Sequence, residues 1–303
     1  MTIRFENRVA VVTGAGAGLG RQHALLLASR GARVVVNDPG GSVDGRGTAN
    51  AVADQVVAEI TAAGGEAVAN YNSVADRESA QNIIDTAISK WGRLDILVNN
   101  AGILRDKSFH KMEPEDFEFV VQVHLMGTVY CTMAAWPMMR ERKYGRVVVT
   151  TSGSGTIGNF GQSNYGAAKM GVLGMINCLR HEGEKYNIKC NAISPSARTR
   201  MTEDLLPESV LEYMRPELVS PAVAWMCSEG CAMNGEVIAA SAGSYSRVKY
   251  FQSEGIQFDP GEPVTIEMFA ASFDKITDLS HPQAHAGSLA RLEARLRALG
   301  RIK

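Results

Sequence analysis

Short apolar runs rich in β-branched residues alternate along this chain with longer amphipathic stretches, and this alternation limits the possible folds more than any other feature. The runs are VAVVTG (9–14), RVVVND (33–38), EAVANY (66–71), LDILVNN (94–100), GRVVVTTS (145–152), IKCNAISP (188–195) and EVIAAS (236–241). Strands separated by helical segments form a parallel sheet with crossover helices on both faces. Nearly continuous apolar runs also suit strands that are buried on both sides. The sequence therefore predicts an α/β protein with a doubly wound parallel sheet of about seven strands.

Composition excludes several other classes of protein. The chain has 303 residues, of which 45% are hydrophobic and 21% charged, as in ordinary globular proteins. Its 31 basic and 32 acidic residues give no reason to expect a nucleic-acid or membrane partner. Five scattered cysteines without a CxxC pair indicate reduced thiols and no metal site. Since neither a secretory leader nor an apolar run of about 18 residues is present, we expect a cytoplasmic protein.

A glycine-rich turn, TGAGAGLGR, follows the first predicted strand and precedes a predicted helix. At Gly14, Gly18 and Gly20 the missing Cβ lets a pyrophosphate approach the backbone amides and the positive end of the helix. Leu19 stands where the last glycine of the usual G-x-G-x-x-G pattern is needed, so the turn departs from that pattern. We interpret the turn as a dinucleotide-binding site. The alternative is a glycine turn that only permits tight packing.

Asp38 ends the second predicted strand, 18 residues after Gly20. A carboxylate at this position accepts hydrogen bonds from the adenosine ribose hydroxyls of a dinucleotide. It also repels a 2′-phosphate, and neither Ala17 nor Asn37 supplies the cation that NADP needs. The sequence therefore predicts NAD(H) over NADP(H), with a solvated turn residue as the alternative role of Asp38. The long loop PGGSVDGRG (39–47) is expected to be a surface excursion near the same end of the sheet.

Tyr165 and Lys169 are four residues apart in SNYGAAK and share one face of a predicted helix. Ser152 ends the fifth apolar run, 13 residues before Tyr165, so all three side chains are expected in the crevice at the carboxyl ends of the strands. Because an ammonium stabilises a phenolate, we expect Lys169 to lower the pKa of Tyr165 from its ordinary value near ~10. Tyr165 then serves as a proton shuttle, and the Ser152 hydroxyl binds the substrate oxygen. The alternative is a chance spacing without chemistry.

From about Asn7 to Gly243 these features together resemble the short-chain dehydrogenase/reductase family, whose fold is Rossmann-like. TGAGAGLG is similar to that family's cofactor turn, NNAG (99–102) to its fourth-strand motif, and Ser152 with Tyr165-x-x-x-Lys169 to its catalytic group. In this resemblance Lys169 also binds the nicotinamide ribose. The residues that it implies as cofactor-binding are Gly14, Gly18, Leu19, Gly20, Asp38, Ser73, Val74, Asn100, Gly102, Tyr165, Lys169, Ala197 and Thr199.

Two departures from the common family pattern narrow the resemblance. His124 occupies the helix position where many members have the asparagine of a water-linked proton relay, and Pro195-Ser196 replaces the usual Pro-Gly after the sixth strand. An imidazole can take part in such a relay or can simply space the helix against the site. With PGGSVDGRG and GNFGQSNYGAAK (158–169), these departures resemble the (3R)-hydroxyacyl-CoA dehydrogenase unit of peroxisomal multifunctional enzymes type 2, which is also associated with 17β-hydroxysteroid oxidation.

The resemblance implies NAD-dependent oxidation of a secondary alcohol, with (3R)-3-hydroxyacyl-CoA going to 3-ketoacyl-CoA in fatty-acid or sterol side-chain degradation. The expected partners are a small-molecule substrate and, by resemblance, a second copy of the chain in a homodimer. One alternative is a 17β-hydroxysteroid dehydrogenase. Another, from a different class, is a nucleotide-binding regulatory protein, against which the intact catalytic group argues. Since no hydratase module precedes the ending Arg301-Ile302-Lys303, we expect a free-standing bacterial form.

The last part of the chain is expected to be a separate addition to the family core. We assign residues 1–243 to the NAD-binding and catalytic domain and residues 244–303 to a C-terminal helical extension. Within it, SLARLEARLRALG (288–300) places Leu289, Leu292, Leu296 and Leu299 along one stripe. We expect this helix to pack on its own domain or in the dimer, with a cover over the acyl site as an alternative.

Overall fold

The computed structural model describes residues 2–199 and 207–298, in which strands and helices alternate as expected. Its strands are β1 (Val9–Thr13), β2 (Arg33–Asn37), β3 (Glu66–Asn70), β4 (Ile96–Asn99), β5 (Gly145–Thr150), β6 (Ile188–Ser196), β7 (Val237–Ser241) and β8 (Ser244–Val248). Its helices are α1 (Gly18–Ser29), α2 (Ala51–Ala62), α3 (Arg77–Trp91), α4 (Pro114–Val121), α5 (Gly127–Arg142), α6 (Gly153–Thr156), α7 (Ser163–Gly183), α8 (Glu208–Leu211), α9 (Ser220–Cys227), α10 (Ile266–Ala271), α11 (Phe273–Thr277) and α12 (Ser288–Ala298). Each predicted apolar run contains a strand.

The strands form one sheet in the order β3-β2-β1-β4-β5-β6-β7-β8. Strands β1 to β7 pair in parallel, with Val11 opposite both Val35 and Leu97. The chain builds outward from β1 to β3 and then returns to the other side of β1, so the strand order reverses between β1 and β4. In such a sheet, ligands bind in the crevice at the carboxyl ends of the strands where the order reverses. The doubly wound, Rossmann-like fold is confirmed.

The inner strands are largely buried, as the continuous apolar runs predicted. Every residue of β1, β4 and β5 is buried. One apolar cluster joins the sheet to α1, α2 and α9 through residues such as Leu27, Ile60 and Val223. Helices α3, α5 and α7 bury other side chains, which lie outside that cluster. This burial on two sides gives the strand ends a rigid base, and the site is built on those ends.

Within the described residues the sheet has eight strands, where the sequence predicted about seven. Ala242 and Gly243 separate β7 from β8 and have φ values of 47° and 79°. Two consecutive residues with positive φ are typical of a two-residue hairpin turn, so β8 returns antiparallel to β7. The chain divides into two compact units, residues 1–247 and 248–303. The first unit therefore extends four residues beyond the predicted boundary at 243, because β8 continues the sheet.

The second unit contains α10, α11 and α12. Thr265 caps α10 by accepting a hydrogen bond from Met268 N at 3.2 Å, and backbone hydrogen bonds of 2.9 Å and 2.7 Å pair Gln252 with Gln283. On α12, Leu289 and Leu292 are exposed, whereas Leu299 of the predicted stripe lies outside the described residues. The packing role of the extension stays a prediction.

One continuous helical stretch, Pro114–Arg142, is long and apolar enough to cross a membrane by length and composition. It includes α4 and α5, and 44% of its apolar window is buried inside the protein. A core helix passes the same test, and this stretch packs against α3 and α7. The expected absence of a membrane partner stays a prediction.

Candidate active site

Ser152, Tyr165 and Lys169 converge at the carboxyl end of β5. Ser152 is the N-cap of α6, and its Oγ accepts a hydrogen bond from Ser154 N at 3.2 Å. Tyr165 lies in the first turn of α7, and its hydroxyl hydrogen-bonds the Ser152 hydroxyl. Lys169 Nζ donates to Thr150 O at 2.6 Å and lies 5.5 Å from the centroid of the Tyr165 ring. The structure thus brings together the three side chains that the sequence marked as catalytic.

The pKa values of this group differ from the expectation. Burial raises the pKa of Tyr165 above its ordinary value, the hydrogen bond with Ser152 lowers it in part, and the Asp106 carboxylate raises it again. Burial also lowers the pKa of Lys169 to about 7. The expected lowering of the Tyr165 pKa by Lys169 is therefore wrong for this structure. Burial away from water disfavours both the Tyr165 phenolate and the Lys169 ammonium. In addition, the Lys169 amine is directed at a backbone carbonyl instead of the phenol.

His124 lies in a π-helical turn (Gln122–Met126) that joins α4 to α5. Its Nε2 is 3.0 Å from Ile103 N and 2.7 Å from Ile103 O. Its ring meets the Tyr165 ring edge-on, with centroids 5.0 Å apart. Burial, with the charge of Lys169, holds the pKa of His124 well below its ordinary value, so the imidazole is neutral at neutral pH. These contacts favour the spacing role, and the proton relay stays a prediction.

The NNAG motif holds the crevice together from the β4 side. Asn100 Nδ2 donates to Thr13 O at 3.0 Å and to Gly14 O at 3.1 Å, which ties the motif to the glycine turn. Gly102 gives room to the histidine, because a Cβ there would lie 2.2 Å from His124 Cε1. Both residues were implied as cofactor-binding, and the structure shows that both also support neighbouring parts of the site.

The glycine turn has the shape of a phosphate cradle. Gly14 and Gly18 have φ values of 64° and 53°, in the region that favours glycine. A Cβ at Gly20 would lie 2.1 Å from Gly14 O, so a side chain does not fit there. The N-cap residue of α1, Ala17, has no side chain that could cap the helix, and the first turn carries no acidic residue. The first amides of α1 are therefore available to an anion, and the residues present fit a pyrophosphate.

Asp38 faces the same turn, as the sequence predicted. Its Oδ2 accepts a hydrogen bond from Gly16 N at 2.9 Å, and its Oδ1 accepts one from Gly40 N at 2.7 Å. The carboxylate is thereby fixed beside the cradle at the end of β2. A carboxylate fixed in this place binds ribose hydroxyls and opposes a 2′-phosphate.

The loop after β2, which we call the strap (residues 39–49), is tied to the segment that follows β4. Leu104 N donates to Val43 O at 2.9 Å, and Arg105 Nε donates to Asp44 O at 3.1 Å. Since β1 lies between β2 and β4 in the sheet, the strap crosses the carboxyl end of β1. The expected surface excursion is thus a bridge next to the glycine turn, held by contacts between residues distant in sequence.

The other residues implied as cofactor-binding are Leu19, Ser73, Val74, Ala197 and Thr199. Thr199 lies beside the turn, with its Cγ2 3.3 Å from the position of a Cβ on Gly18. Leu19 and Ala197 pack with the apolar core, and Val74 is buried. Ser73 Oγ accepts a hydrogen bond from Ala75 N at 3.2 Å at the end of β3. Because the side chains of Leu19, Val74 and Ala197 face the protein, their contacts with a cofactor would use the backbone.

Two residues that the sequence analysis missed, Asp106 and Gln162, lie next to the catalytic group. Gln162 Nε2 donates to Asp106 Oδ2 at 2.6 Å, and Gln162 Oε1 accepts a hydrogen bond from Ser154 Oγ at 2.6 Å. Partial burial raises the pKa of Asp106, and the hydrogen bond with Gln162 opposes this rise. No motif marks either residue. The one available signal was the position of Gln162 three residues before Tyr165.

A phenol, an amine and a hydroxyl beside a dinucleotide cradle are the groups that a protein supplies to nicotinamide-dependent hydride transfer. Fold and site together therefore define an oxidoreductase. The comparison of sequences leads to the same class, since the short chain dehydrogenase family matches residues 8–209. The chain belongs to this family, as its glycine turn and catalytic spacing had indicated.

Three relatives show where within the family the chain lies. A putative short-chain type dehydrogenase/reductase of Mycobacterium tuberculosis is 54% identical over 91% of this chain and 96% of its own length. The peroxisomal multifunctional enzyme type 2 of Drosophila melanogaster is 48% identical over 97% of this chain, which spans 49% of that enzyme. A hydroxyacyl-CoA dehydrogenase of M. tuberculosis is 35% identical over 86% of this chain and 87% of its own length.

Two solved structures share the fold. The structure of the full-length D. melanogaster multifunctional enzyme type 2 aligns with a TM-score of 0.82 and 41% identity, over 98% of this chain and 50% of that one. A 7α-hydroxysteroid dehydrogenase in complex with NADH and 7-oxo glycochenodeoxycholic acid aligns with a TM-score of 0.72 and 27% identity, over 79% of this chain and 95% of that one.

Proposed function

We propose that the protein oxidises (3R)-3-hydroxyacyl-CoA to 3-ketoacyl-CoA with NAD as its cofactor. The observation that carries the proposal is the cluster of Ser152, Tyr165 and Lys169 in the crevice that also contains Asp38 and the glycine turn. Similarity to a hydroxyacyl-CoA dehydrogenase and to a multifunctional enzyme type 2 supports this substrate class. The (3R) configuration rests on the resemblance to the dehydrogenase unit of the type 2 enzymes.

The crevice residues have separate roles in binding the cofactor and in the reaction. The first amides of α1 would hold the pyrophosphate, Asp38 the adenosine ribose and Lys169 the nicotinamide ribose. When bound, NAD supplies the acceptor for the hydride that leaves C3 of the substrate. Ser152 Oγ, held by Ser154 N, orients the substrate oxygen, and Tyr165 Oη takes the hydroxyl proton as the C3–O bond becomes a carbonyl.

Because the pKa of Tyr165 is raised, the rates of alcohol oxidation and ketone reduction should depend on pH in opposite ways. The phenol is protonated at neutral pH, because burial disfavours the phenolate. A protonated Tyr165 is an acid for ketone reduction, whereas alcohol oxidation needs it to accept a proton. The rate of oxidation is therefore expected to rise from neutral towards alkaline pH, and the rate of reduction to fall.

The choice of cofactor is tested through Asp38. The parent protein should have a higher kcat/KM with NAD than with NADP, and Asp38→Asn should narrow that ratio by removing the charge opposed to a 2′-phosphate. Asp85→Asn, on the exposed surface of α3, removes a charge of the same kind away from the cradle and should leave the ratio unchanged. A preference of the parent for NADP would contradict the proposed cofactor.

The substrate is tested with a panel assay that follows NADH formation. The panel contains (3R)- and (3S)-3-hydroxyacyl-CoA thioesters of several chain lengths, together with oestradiol and testosterone. Preference for the (3R) thioesters supports the proposal. A higher kcat/KM with the steroids would favour the 17β-hydroxysteroid alternative, for which the similarity to a hydroxysteroid dehydrogenase is the supporting observation. Binding of NADH without turnover of any alcohol would favour the regulatory alternative.

We also propose a homodimer in the cytoplasm, on the resemblance and on composition. Sedimentation equilibrium tests the dimer. Because β8 ends at Val248, a truncation that tests the extension should remove residues 249–303 and not begin at 244. Unchanged assembly and unchanged KM for acyl-CoA after that truncation would count against both predicted uses of the extension.

A further inference from the structure

A chain of polar groups leads away from the catalytic hydroxyls towards a carboxylate that the proposed mechanism does not use. Ser152 Oγ lies 3.4 Å from Ser154 Oγ, which donates to Gln162 Oε1 at 2.6 Å. Gln162 Nε2 donates to Asp106 Oδ2 at 2.6 Å. With the hydrogen bond between Tyr165 and Ser152, five side chains from three separate segments form one connected path.

The direction of the hydrogen bonds in this path follows from Gln162. Its Oε1 accepts from both Ser154 Oγ and Asn159 Nδ2, the latter at 3.0 Å, while its Nε2 faces a carboxylate that only accepts. The amide therefore has one favourable orientation. Because the Ser154 proton is committed to Gln162, Ser154 Oγ presents a lone pair to Ser152. The Ser152 hydroxyl can then donate to Ser154 Oγ, in competition with the hydrogen bond to the Tyr165 oxygen that lowers the pKa of Tyr165.

The segments that carry this path are fixed to each other by hydrogen bonds to their backbone carbonyls. Lys107 N donates to Gly161 O at 3.0 Å, and Asn164 Nδ2 donates to Arg105 O at 3.0 Å. Asn164 is fully buried. These bonds hold the loop after β4 against the start of α7, so the contact between Asp106 and Gln162 belongs to the framework of the site.

Among the residues that the structure describes, the Asp106 carboxylate forms no ion pair. Its two neighbours in sequence, Arg105 and Lys107, both bind Asp116 at 3.0 Å and 3.1 Å. Three titratable groups face the Tyr165 phenol: Asp106 from the loop after β4, Lys169 from α7 itself and His124 from the π-helical turn. His124 is held neutral by burial, so within the described part of the chain Asp106 and Lys169 place charge near the phenol.

We propose that Gln162, anchored on the Asp106 carboxylate, is a positioning residue that orients the Ser152 and Tyr165 hydroxyls through Ser154 and favours the protonated form of Tyr165. The inference rests on the proposed function only in naming these hydroxyls as the reacting groups. Two effects act together. The path draws the Ser152 proton towards Ser154 and so weakens the hydrogen bond by which Ser152 stabilises the phenolate, and the Asp106 charge opposes a second negative charge on Tyr165. Loss of either effect makes the phenolate easier to form.

The test measures the ionisation of Tyr165 directly, so that it does not depend on activity. The protein is labelled with ζ-13C tyrosine, and the Tyr165 signal is assigned by its loss in Tyr165→Phe. Asp106→Asn keeps an acceptor for Gln162 but removes the charge, and Gln162→Met keeps the volume but removes the amide. In both variants Tyr165 should titrate at a lower pH than in the parent. Glu113→Gln, which removes an exposed carboxylate at the N-terminus of α4, should leave the titration unchanged.

Steady-state kinetics of the variants, and the effect of salt on their pH profiles, give two further measurements. In Gln162→Met the kcat for oxidation at its best pH should fall roughly fivefold, about the effect of one lost hydrogen bond, with a smaller change in KM. In Asp106→Asn the alkaline rise of the oxidation rate should move to lower pH. Because Asp106 reaches solvent, this displacement should shrink at high salt.

The possible failures are distinguishable. If Tyr165 titrates at the same pH in the parent, Asp106→Asn and Gln162→Met, the positioning role is overturned, whatever the activity. If Gln162→Met does not fold, Ser154→Ala interrupts the same path, and an unchanged titration in that variant also overturns the role. A parent that shows no turnover with any alcohol, but a Tyr165 titration that shifts as expected, would count against the proposed function and leave the path in place.

Discussion

Replacing Gly20 with alanine is expected to destabilise the protein, whereas the same replacement at Gly174 is expected to stabilise it. Both glycines lie in helices, Gly20 in α1 and Gly174 in α7. A Cβ at Gly20 would lie 2.1 Å from Gly14 O and 2.5 Å from Asn100 Nδ2, whereas nothing lies within 4 Å of a Cβ at Gly174. The two variants therefore compare the same chemical change in a closed and an open position.

The magnitudes follow from these contacts. Overpacking by one methyl group typically costs about 1–3 kcal/mol, and Gly20 belongs at the upper end because backbone atoms block the methyl. At about 2–4 °C per kcal/mol for a chain of this size, the apparent Tm of Gly20→Ala should fall by roughly 6–12 °C. At Gly174, alanine gains about 0.5–1 kcal/mol of helix propensity, so the apparent Tm should rise by roughly 1–4 °C.

The assay is thermal unfolding by calorimetry or circular dichroism on nucleotide-free protein, repeated with NADH added. NADH should raise the Tm of the parent and of Gly174→Ala more than that of Gly20→Ala, since the turn that we propose to bind the pyrophosphate is displaced only in the last. A Tm of Gly20→Ala equal to or above that of the parent would refute the account of the turn. A similar fall in the Tm of both variants would show that the contact with Gly14 O does not determine the loss of stability.

Three further predictions concern the crevice. Burial lowers the pKa of Lys169 to about 7, so from there to the unfolded pKa near ~10.4 the unfolded chain binds more protons and the free energy of unfolding rises with pH. Lys169→Met should remove this rise, which denaturation at about pH 7 and pH 9 would detect; a parent whose stability is flat over that interval would contradict it. Gly102→Ala should lower Tm by displacing His124, and adding His124→Ala should relieve the clash, so that the double variant is no less stable than His124→Ala alone; a double variant that is less stable would contradict the contact. Arg105→Ala removes one tie of the strap and should raise the Kd for NADH roughly fivefold by fluorescence titration, about one lost hydrogen bond, with kcat at saturating NAD retained; an unchanged Kd would show that the tie does not restrain the strap.

The strands and the catalytic spacing were predictable because their signals are local. Each parallel strand is a continuous apolar run, and burial on both faces of the sheet requires such runs. Tyr165 and Lys169 are one helical turn apart, so their common face follows from helix geometry alone. The glycine turn was readable for the same reason, since a positive φ at Gly14 and Gly18 is a property of single residues.

The parts that the sequence did not reveal depend on contacts between distant segments. The tie between Val43 and Leu104, and the bond between Asp106 and Gln162, join residues about sixty and fifty-six positions apart and have no motif. The pKa of Tyr165 was predicted in the wrong direction because the spacing to Lys169 is local, whereas the extent of burial is a property of the whole fold. Strand β8 was missed because its five residues, SYSRV, are mostly exposed and lack the apolar character of the other strands.

The most direct test of the account is the comparison of Tyr165→Phe with the parent, measured as NADH formation from (3R)-3-hydroxyacyl-CoA beside NADH binding. The substitution removes only the hydroxyl and keeps the ring that contacts His124. The account predicts a fall in kcat of about 10²–10⁴-fold, the usual contribution of a proton-transfer group, with NADH binding retained. Equal rates of NADH formation by the variant and the parent would contradict it.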